Sequence, residues 1–73
     1  MRLHHKAEIH DTPANALHAA KIRNLEAIRA GGLYLAVHPD DVERLIAAKD
    51  KPADLAWIIG ADIFGQTIFT ELD

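Results

Sequence analysis

The stretch "YLAVHPDDVERL", Tyr34 to Leu45, decides the fold because it contains the sharpest change of pattern in the chain. An apolar run stops just before Pro39, and apolar residues then recur at helical spacing. Proline suits the first position of a helix, and the two aspartates after it face the positive end of the helix dipole. The stretch therefore predicts a strand over residues 32–38 and a helix over residues 39–49.

The N-terminal part of the chain predicts a strand followed by a long helix. Residues 1–9 alternate between apolar and polar side chains, which is the period of a half-buried strand. Residues 11–32 read as a helix that Asp11 or Thr12 caps. Gly31 suits its end, because glycine readily adopts the left-handed conformation found there.

Two further strands are expected near the C-terminus. Residues 55–64 are apolar almost throughout, as in a central strand, and Gly65-Gln66 suits a two-residue hairpin turn before a strand over residues 67–72. The predicted fold is α/β (α+β): one compact domain, residues 1–73, with two helices on a four-stranded mixed sheet in the order strand-helix-strand-helix-strand-strand. The expected core residues are Leu25, Ile28, Leu35, Val37, Leu45, Ile46, Trp57, Ile58 and Ile59.

Composition narrows the function classes. The chain of 73 residues has no cysteine, which excludes disulfides and thiolate chemistry and fits the cytoplasm. Its apolar runs are too short to span a bilayer, and its polar N-terminus lacks a secretory pattern. It has no basic run and few aromatic residues, so neither nucleic acid nor membrane is an expected partner. Five basic and three acidic residues lie in positions 1–31, against three and eight in 32–73, which suits a charged partner.

The long predicted helix carries more apolar surface than one sheet can cover. Ala16, Ala20 and Ala27 form a small-residue stripe on it, beside a broad apolar face. Small side chains allow close approach, so we expect a dimer or higher homo-oligomer with its interface at these alanines. The alternative is that the second helix covers this surface within the same chain.

Lys21 stands where the same helix should present a core residue. A lysine in an apolar stripe commonly extends its ammonium group to the rim while its methylenes pack below. The alternative is that the stripe borders a cleft, in which Lys21, His18 and Arg29 bind a small anionic ligand. Local patterns tend to fail at functional sites, which favours testing this second interpretation.

The residues "AVHPDD" resemble the metal motif of zinc-dependent N-acetylglucosamine deacetylases, in which a strand ends in His-Pro-Asp-Asp. The resemblance implies that His38 and one of Asp40 and Asp41 hold zinc, with the other aspartate as the base. This chain has Val42 where that family has glutamate, and no histidine follows His38 to supply a third protein ligand. Helix capping explains the same residues, so no metal or other cofactor is predicted.

Residues 32–72 show the pattern strand, His-Pro-x-Asp, helix, strand, hairpin, which resembles segments of tailed-phage proteins. The resemblance implies a viral or prophage origin, a location in the host cytoplasm and a binding role. We therefore expect a small non-enzymatic, homo-oligomeric binding protein, a phage-type inhibitor or regulator that occupies a host protein or holds a small anionic ligand. The alternatives are a structural component of a virion or other assembly, and a metal-dependent hydrolase built at a subunit interface around His38, Asp40 and Asp41.

Overall fold

The computed structural model describes residues 3–72 and there contains two helices and five strands. In chain order the elements are β1 (Glu8–His10), α1 (Pro13–Arg23), β2 (Glu26–Ala30), β3 (Leu33–Val37), α2 (Pro39–Ala47), β4 (Ala56–Ala61) and β5 (Thr67–Glu71). The strands form one sheet in the order β1-β3-β2-β4-β5, and every neighbouring pair is antiparallel. The α+β class is confirmed, whereas the four-stranded mixed sheet is wrong. Neither helix is long and apolar enough to cross a membrane.

The predicted helix over residues 11–32 is wrong because two elements share that stretch. Thr12 caps α1, its hydroxyl oxygen accepting a backbone N–H three residues later. The helix ends at Asn24, whose φ of 55° and ψ of 40° lie in the left-handed region. The N–H of Leu25 donates to the Ala20 carbonyl at 2.8 Å, which completes the helix terminus and releases the chain into β2.

Gly31 has the positive φ that was predicted for it, but it lies in the turn of a hairpin and does not end a helix. Gly31 and Gly32 have φ of 60° and 76° and lie between the paired residues Ala30 and Leu33. Two consecutive positive φ angles are what a type I′ turn requires. The Asp54 carboxylate accepts both glycine N–H groups at 2.8 Å, and these bonds lower the pKa of that carboxyl below its ordinary value.

The remaining predicted elements are found with shifted ends. β1 is much shorter than the strand predicted over residues 1–9. Residues 1 and 2 of that predicted strand lie outside the described part of the chain. The two-residue turn at Gly65-Gln66 is wrong, because five residues separate β4 from β5. Within this loop the Asp62 carboxylate accepts the N–H groups of Phe64 and Gln66 at 2.9 Å. A side chain thus takes over part of the hydrogen bonding that a tighter turn would supply from its backbone.

One helix lies on each face of the sheet. Successive strand residues point to opposite faces, and they divide between two apolar clusters. The cluster under α2 contains Ile28, Ala30, Leu35, Val37, Val42, Leu45, Leu55 and Leu72. The cluster under α1 contains Ala16, Ala19, Ala20, Ala27, Ala36 and Ile58. The α1 side of the core is thus built mainly from alanine, which lets the helix approach the sheet closely.

Most of the predicted core residues are at least partly buried. Those that are fully buried are Ile28, Leu35, Val37, Leu45 and Ile58. Those that are half-buried are Leu25, Ile46 and Trp57. Ile59 was wrongly placed in the core, since 55% of it is exposed. It lies at the irregularity between Ile58 and Gly60, where the pairing with β5 shifts register.

The alanines expected at an oligomer interface are buried inside the chain. Ala16, Ala20 and Ala27 are 0%, 2% and 5% exposed, and Ala27 belongs to β2, not to a helix. Because α1 has only 11 residues, the sheet covers its alanine face and leaves no surplus there. A second copy therefore cannot reach these side chains, and the homo-oligomer stays a prediction without this interface.

The helix terminus at Asn24 makes a testable prediction. We expect Asn24→Ala to lower the free energy of unfolding by about 1 kcal/mol, because alanine lacks the short polar side chain that lets asparagine tolerate the left-handed conformation. Asn24→Gly should be at least as stable as the wild type. Urea denaturation gives both values. Asn15→Ala, an exposed change on α1, is the control and should shift stability by less than about 0.5 kcal/mol. Equal stabilities of the Ala and Gly variants would contradict this account of where the helix ends.

Candidate functional site

A cleft of about 230 Å³ lies between α1 and the β4–β5 hairpin. Leu17 and Ile58 form part of its apolar wall. His18 and Lys21 also line it, and they are the only titratable side chains among its lining residues. No acidic side chain lines the cleft, so its charge is positive.

The structure brings together two of the three residues expected to bind an anion. Lys21 and His18 lie on consecutive turns of α1 and share the cleft. The expected position of Lys21 in a core stripe is wrong, because Lys21 is exposed and the buried face of α1 consists of Ala16, Ala19 and Ala20. Lys21 also lies in the last helical turn, where a cation faces the negative end of the dipole.

Arg29 does not join this cleft, and its expected role there is wrong. It lies on β2, where its Nε donates to the Asp54 carbonyl at 3.0 Å. Its guanidinium lies 4.2 Å from the centre of the Phe69 ring, a distance typical of cation–π contact. These contacts hold Arg29 between Asp54 and Phe69 of the edge strand β5, so its guanidinium group stabilises the fold.

Asp41 ties the N-terminal segment to the start of α2. Its carboxylate is fully buried, and its two oxygens accept the N–H groups of His4 and His5 at 2.9 Å each. Burial raises the pKa of this carboxyl, but the two hydrogen bonds and the nearby His5 and Arg44 together lower it by more, so the pKa lies below its ordinary value. Asp41 is thus a structural anchor, and the metal-ligand or base role that the deacetylase resemblance implies for it does not fit.

A second group of side chains forms at the same corner of the fold. His38 is the N-cap of α2, its Nδ1 accepting the Asp40 N–H at 3.1 Å. The His5 ring stacks on the His38 ring, with centroids 3.8 Å apart and planes 16° from parallel. One nitrogen or oxygen atom from each of His5, His38 and Asp40 lies within 4.8 Å of the others. Of the three candidate metal residues, His38 and Asp40 come together, and His5 takes the place of Asp41.

Sequence reasoning missed His5 because its position depends on a long-range contact. The alternation of the N-terminal segment indicates only that His4 and His5 point to opposite sides. The side chain that selects His5 for this corner is Asp41, 36 positions further along the chain. No local pattern predicts such a pairing. The available signal was His38, a histidine at the end of a predicted strand, which indicated that another side chain lies nearby.

Comparison of the chain with protein-family models, with curated proteins and with solved structures finds no match. The resemblances to deacetylases and to tailed-phage proteins therefore stay predictions.

The buried carboxylate makes the second prediction. Asp41→Asn should lower the free energy of unfolding by about 2–3 kcal/mol, because a carboxamide has one acceptor oxygen and turns its NH₂ group towards the other N–H donor. Asp40→Asn is the matched control, since Asp40 is exposed in the same helical turn and should cost less than about 1 kcal/mol.

Acid should remove this difference. Because the pKa of Asp41 in the folded protein lies below 3.8, its stabilisation is complete above that pH and is lost as the pH falls through the folded-state pKa. Denaturation of wild type and Asp41→Asn at several pH values should therefore give curves that converge below about pH 4. A constant difference from neutral pH down to about pH 3 would contradict the ionised anchor.

Proposed function

We propose that the protein is a small non-enzymatic binding protein that holds a small organic anion in the cleft between α1 and the β4–β5 hairpin. The observation that carries the proposal is the distribution of charge in the cleft. An apolar wall is bordered by Lys21 and His18, and no acidic residue lines the cavity.

The unpaired ammonium group of Lys21 supports a role in binding. Arg23 lies in the same last turn of α1 and pairs with Glu8 at 3.2 Å. Lys21 takes part in none of the ion pairs found within residues 3–72, which involve His10, Arg23, Arg29 and His38. Both cations suit the helix dipole, but only Lys21 combines an unpaired charge with a position on the cleft.

The size and lining of the cleft define the ligand class. Its volume of about 230 Å³ is below the roughly 300–1,000 Å³ of typical small-molecule sites, so the ligand is small. An apolar body would pack on Leu17 and Ile58. A carboxylate or phosphate group would accept hydrogen bonds from Lys21, and Thr67 also lines the cleft. A small carboxylic acid or an organic phosphate monoester has this combination.

The proposal is one of binding without catalysis. A hydroxyl nucleophile is activated by a hydrogen-bonded base, and among the described residues no hydrogen bond joins Thr67 to His18 or Lys21. An inhibitor or regulator that responds to a small anion is the form of binding protein that this cleft favours. The phage origin, the host partner and the oligomer remain expectations from the sequence.

Lys21→Met provides the test of the cleft. Methionine keeps much of the side-chain length and removes the charge, so this variant should fold as the wild type does and lose affinity for organic anions by about tenfold or more. Titrations with benzoate, phenyl phosphate and inorganic phosphate, followed by NMR, measure the affinities. The aromatic anions should bind more tightly than inorganic phosphate, because only they use the apolar wall. Added salt should weaken the binding.

Arg23→Met is the matched control, because it removes one positive charge from the same helical turn but outside the cleft. It should retain wild-type affinity. Equal affinities of the wild type and Lys21→Met would reject the proposal, as would the absence of any shift at the amides of Leu17, Ile58 and Thr67 when the aromatic anions are added.

A further inference from the structure

The corner where the N-terminal segment meets the start of α2 brings together two imidazoles and a carboxylate. We infer that His5, His38 and Asp40 form a binding site for a divalent transition-metal ion of the zinc type. This site is separate from the cleft at α1 and does not depend on an anion binding there.

The distances are close to those of a metal centre. With metal–ligand distances of about 2.0–2.2 Å, the donor atoms of a tetrahedral zinc site lie roughly 3.3–3.6 Å apart. His38 Nδ1 and Asp40 Oδ2 are already 3.7 Å apart. The donor atoms of all three residues lie within 4.8 Å of one another, so no pair needs to close by more than about 1.5 Å.

The side chains are free to make this adjustment while the backbone stays in place. His5 and Asp40 are exposed and His38 is half-buried, so their side chains have room to rotate. Because an imidazole coordinates a metal in its ring plane, the stack of the His5 and His38 rings has to open for both nitrogens to reach one ion. The buried Asp41 carboxylate holds the His4 and His5 N–H groups, which fixes the backbone that carries the first ligand. His38 and Asp40 are fixed by the first turn of α2. A pre-positioned backbone lowers the entropy cost of binding.

The ligand set selects the class of metal. Two imidazoles with one carboxylate suit Zn²⁺ and neighbouring transition metals, whereas Mg²⁺ and Ca²⁺ prefer sites made only of oxygen ligands. A cation at a helix N-terminus opposes the helix dipole, but Asp40 and Asp41 in the first turn offset this effect. Three protein ligands also leave a fourth tetrahedral position for water or an external anion.

Metal binding at His38 replaces the side-chain cap of α2. Its Nδ1 accepts the Asp40 N–H at 3.1 Å, which places the proton of the neutral ring on Nε2. Coordination through Nδ1 exchanges that hydrogen bond for the metal, and coordination through Nε2 requires the proton to move to Nδ1, which then no longer accepts the Asp40 N–H. In either arrangement the imidazole is required, and this separates the metal role from the capping role in experiment.

The test is a zinc titration of the full chain, without a histidine tag, followed by calorimetry. The wild type should bind one Zn²⁺ per chain. His5→Ala and Asp40→Asn should each lower the affinity by at least about tenfold, as loss of a ligand predicts. His38→Asn should do the same, because asparagine is a good N-cap but does not replace imidazole as a zinc ligand. Millimolar Mg²⁺ should not compete.

His4→Ala is the matched control. His4 is the neighbouring residue, its backbone is held by the same Asp41 carboxylate, and its side chain lies outside the cluster. The inference predicts wild-type zinc affinity for His4→Ala and a large loss for His5→Ala. Equal losses for the two variants, or no loss for His5→Ala, would overturn the site and indicate unspecific binding to surface histidines.

Thermal unfolding supplies a second readout that separates folding from binding. Zinc should raise the Tm of the wild type and of His4→Ala, because an ion bound only to the folded state stabilises it. His5→Ala loses the stack on His38, so its Tm without zinc serves as its own reference, and it should show no increase when zinc is added. An increase in the Tm of His5→Ala as large as that of the wild type would also refute the site.

Discussion

The buried carboxylate of Asp41 is the interaction on which the N-terminal corner of the structure depends. It accepts two consecutive backbone N–H groups from a segment that has no regular structure of its own. Water cannot replace these bonds, because the carboxylate is fully buried. One side chain thereby fixes the path of the chain into β1 and places an imidazole beside the start of α2.

The same device appears at three irregular places in this small fold. Asp41, Asp54 and Asp62 each accept two backbone N–H groups, at the N-terminal segment, at the β2–β3 turn and at the β4–β5 loop. A chain of this length buries a limited core, and half of that core consists mainly of alanine. Hydrogen bonds to charged carboxylates stabilise the turns where the apolar surface contributes little.

The sequence predicts the elements on the α2 side more accurately than those on the α1 side, for physical reasons. Pro39 and the aspartates after it mark a strand end and a helix start with little ambiguity. In residues 24–32, however, Leu25 and Ile28 have the three-residue spacing of a helix face. In the structure they pack on opposite faces of a sheet that is covered on both sides, so no alternating pattern marks this strand. The Gly-Gly pair then suits either a helix end or a hairpin turn, and Asn24 is a weaker signal than glycine. The prediction for residues 24–32 therefore omitted β2 and made the first helix too long.

The candidate sites show the same division between local and long-range information. Lys21 and His18 lie one helical turn apart, so local spacing was enough to predict that they share a surface. The exclusion of Arg29 could not be predicted, because it follows from the helix ending at Asn24. The meeting of His5 with His38 depends on the tertiary contact made by Asp41, which no periodicity encodes.

The sheet order has a consequence for how the chain reaches this structure. The two central strands, β3 and β2, are joined by a two-residue turn, so the middle of the sheet forms from contacts that are close in the sequence. The corner at Asp41 joins residues 37 positions apart and closes a much longer loop. Closing this longer loop loses more chain entropy than closing the central hairpin does. The imidazole pair therefore depends on one of the contacts of the fold that is most costly in chain entropy.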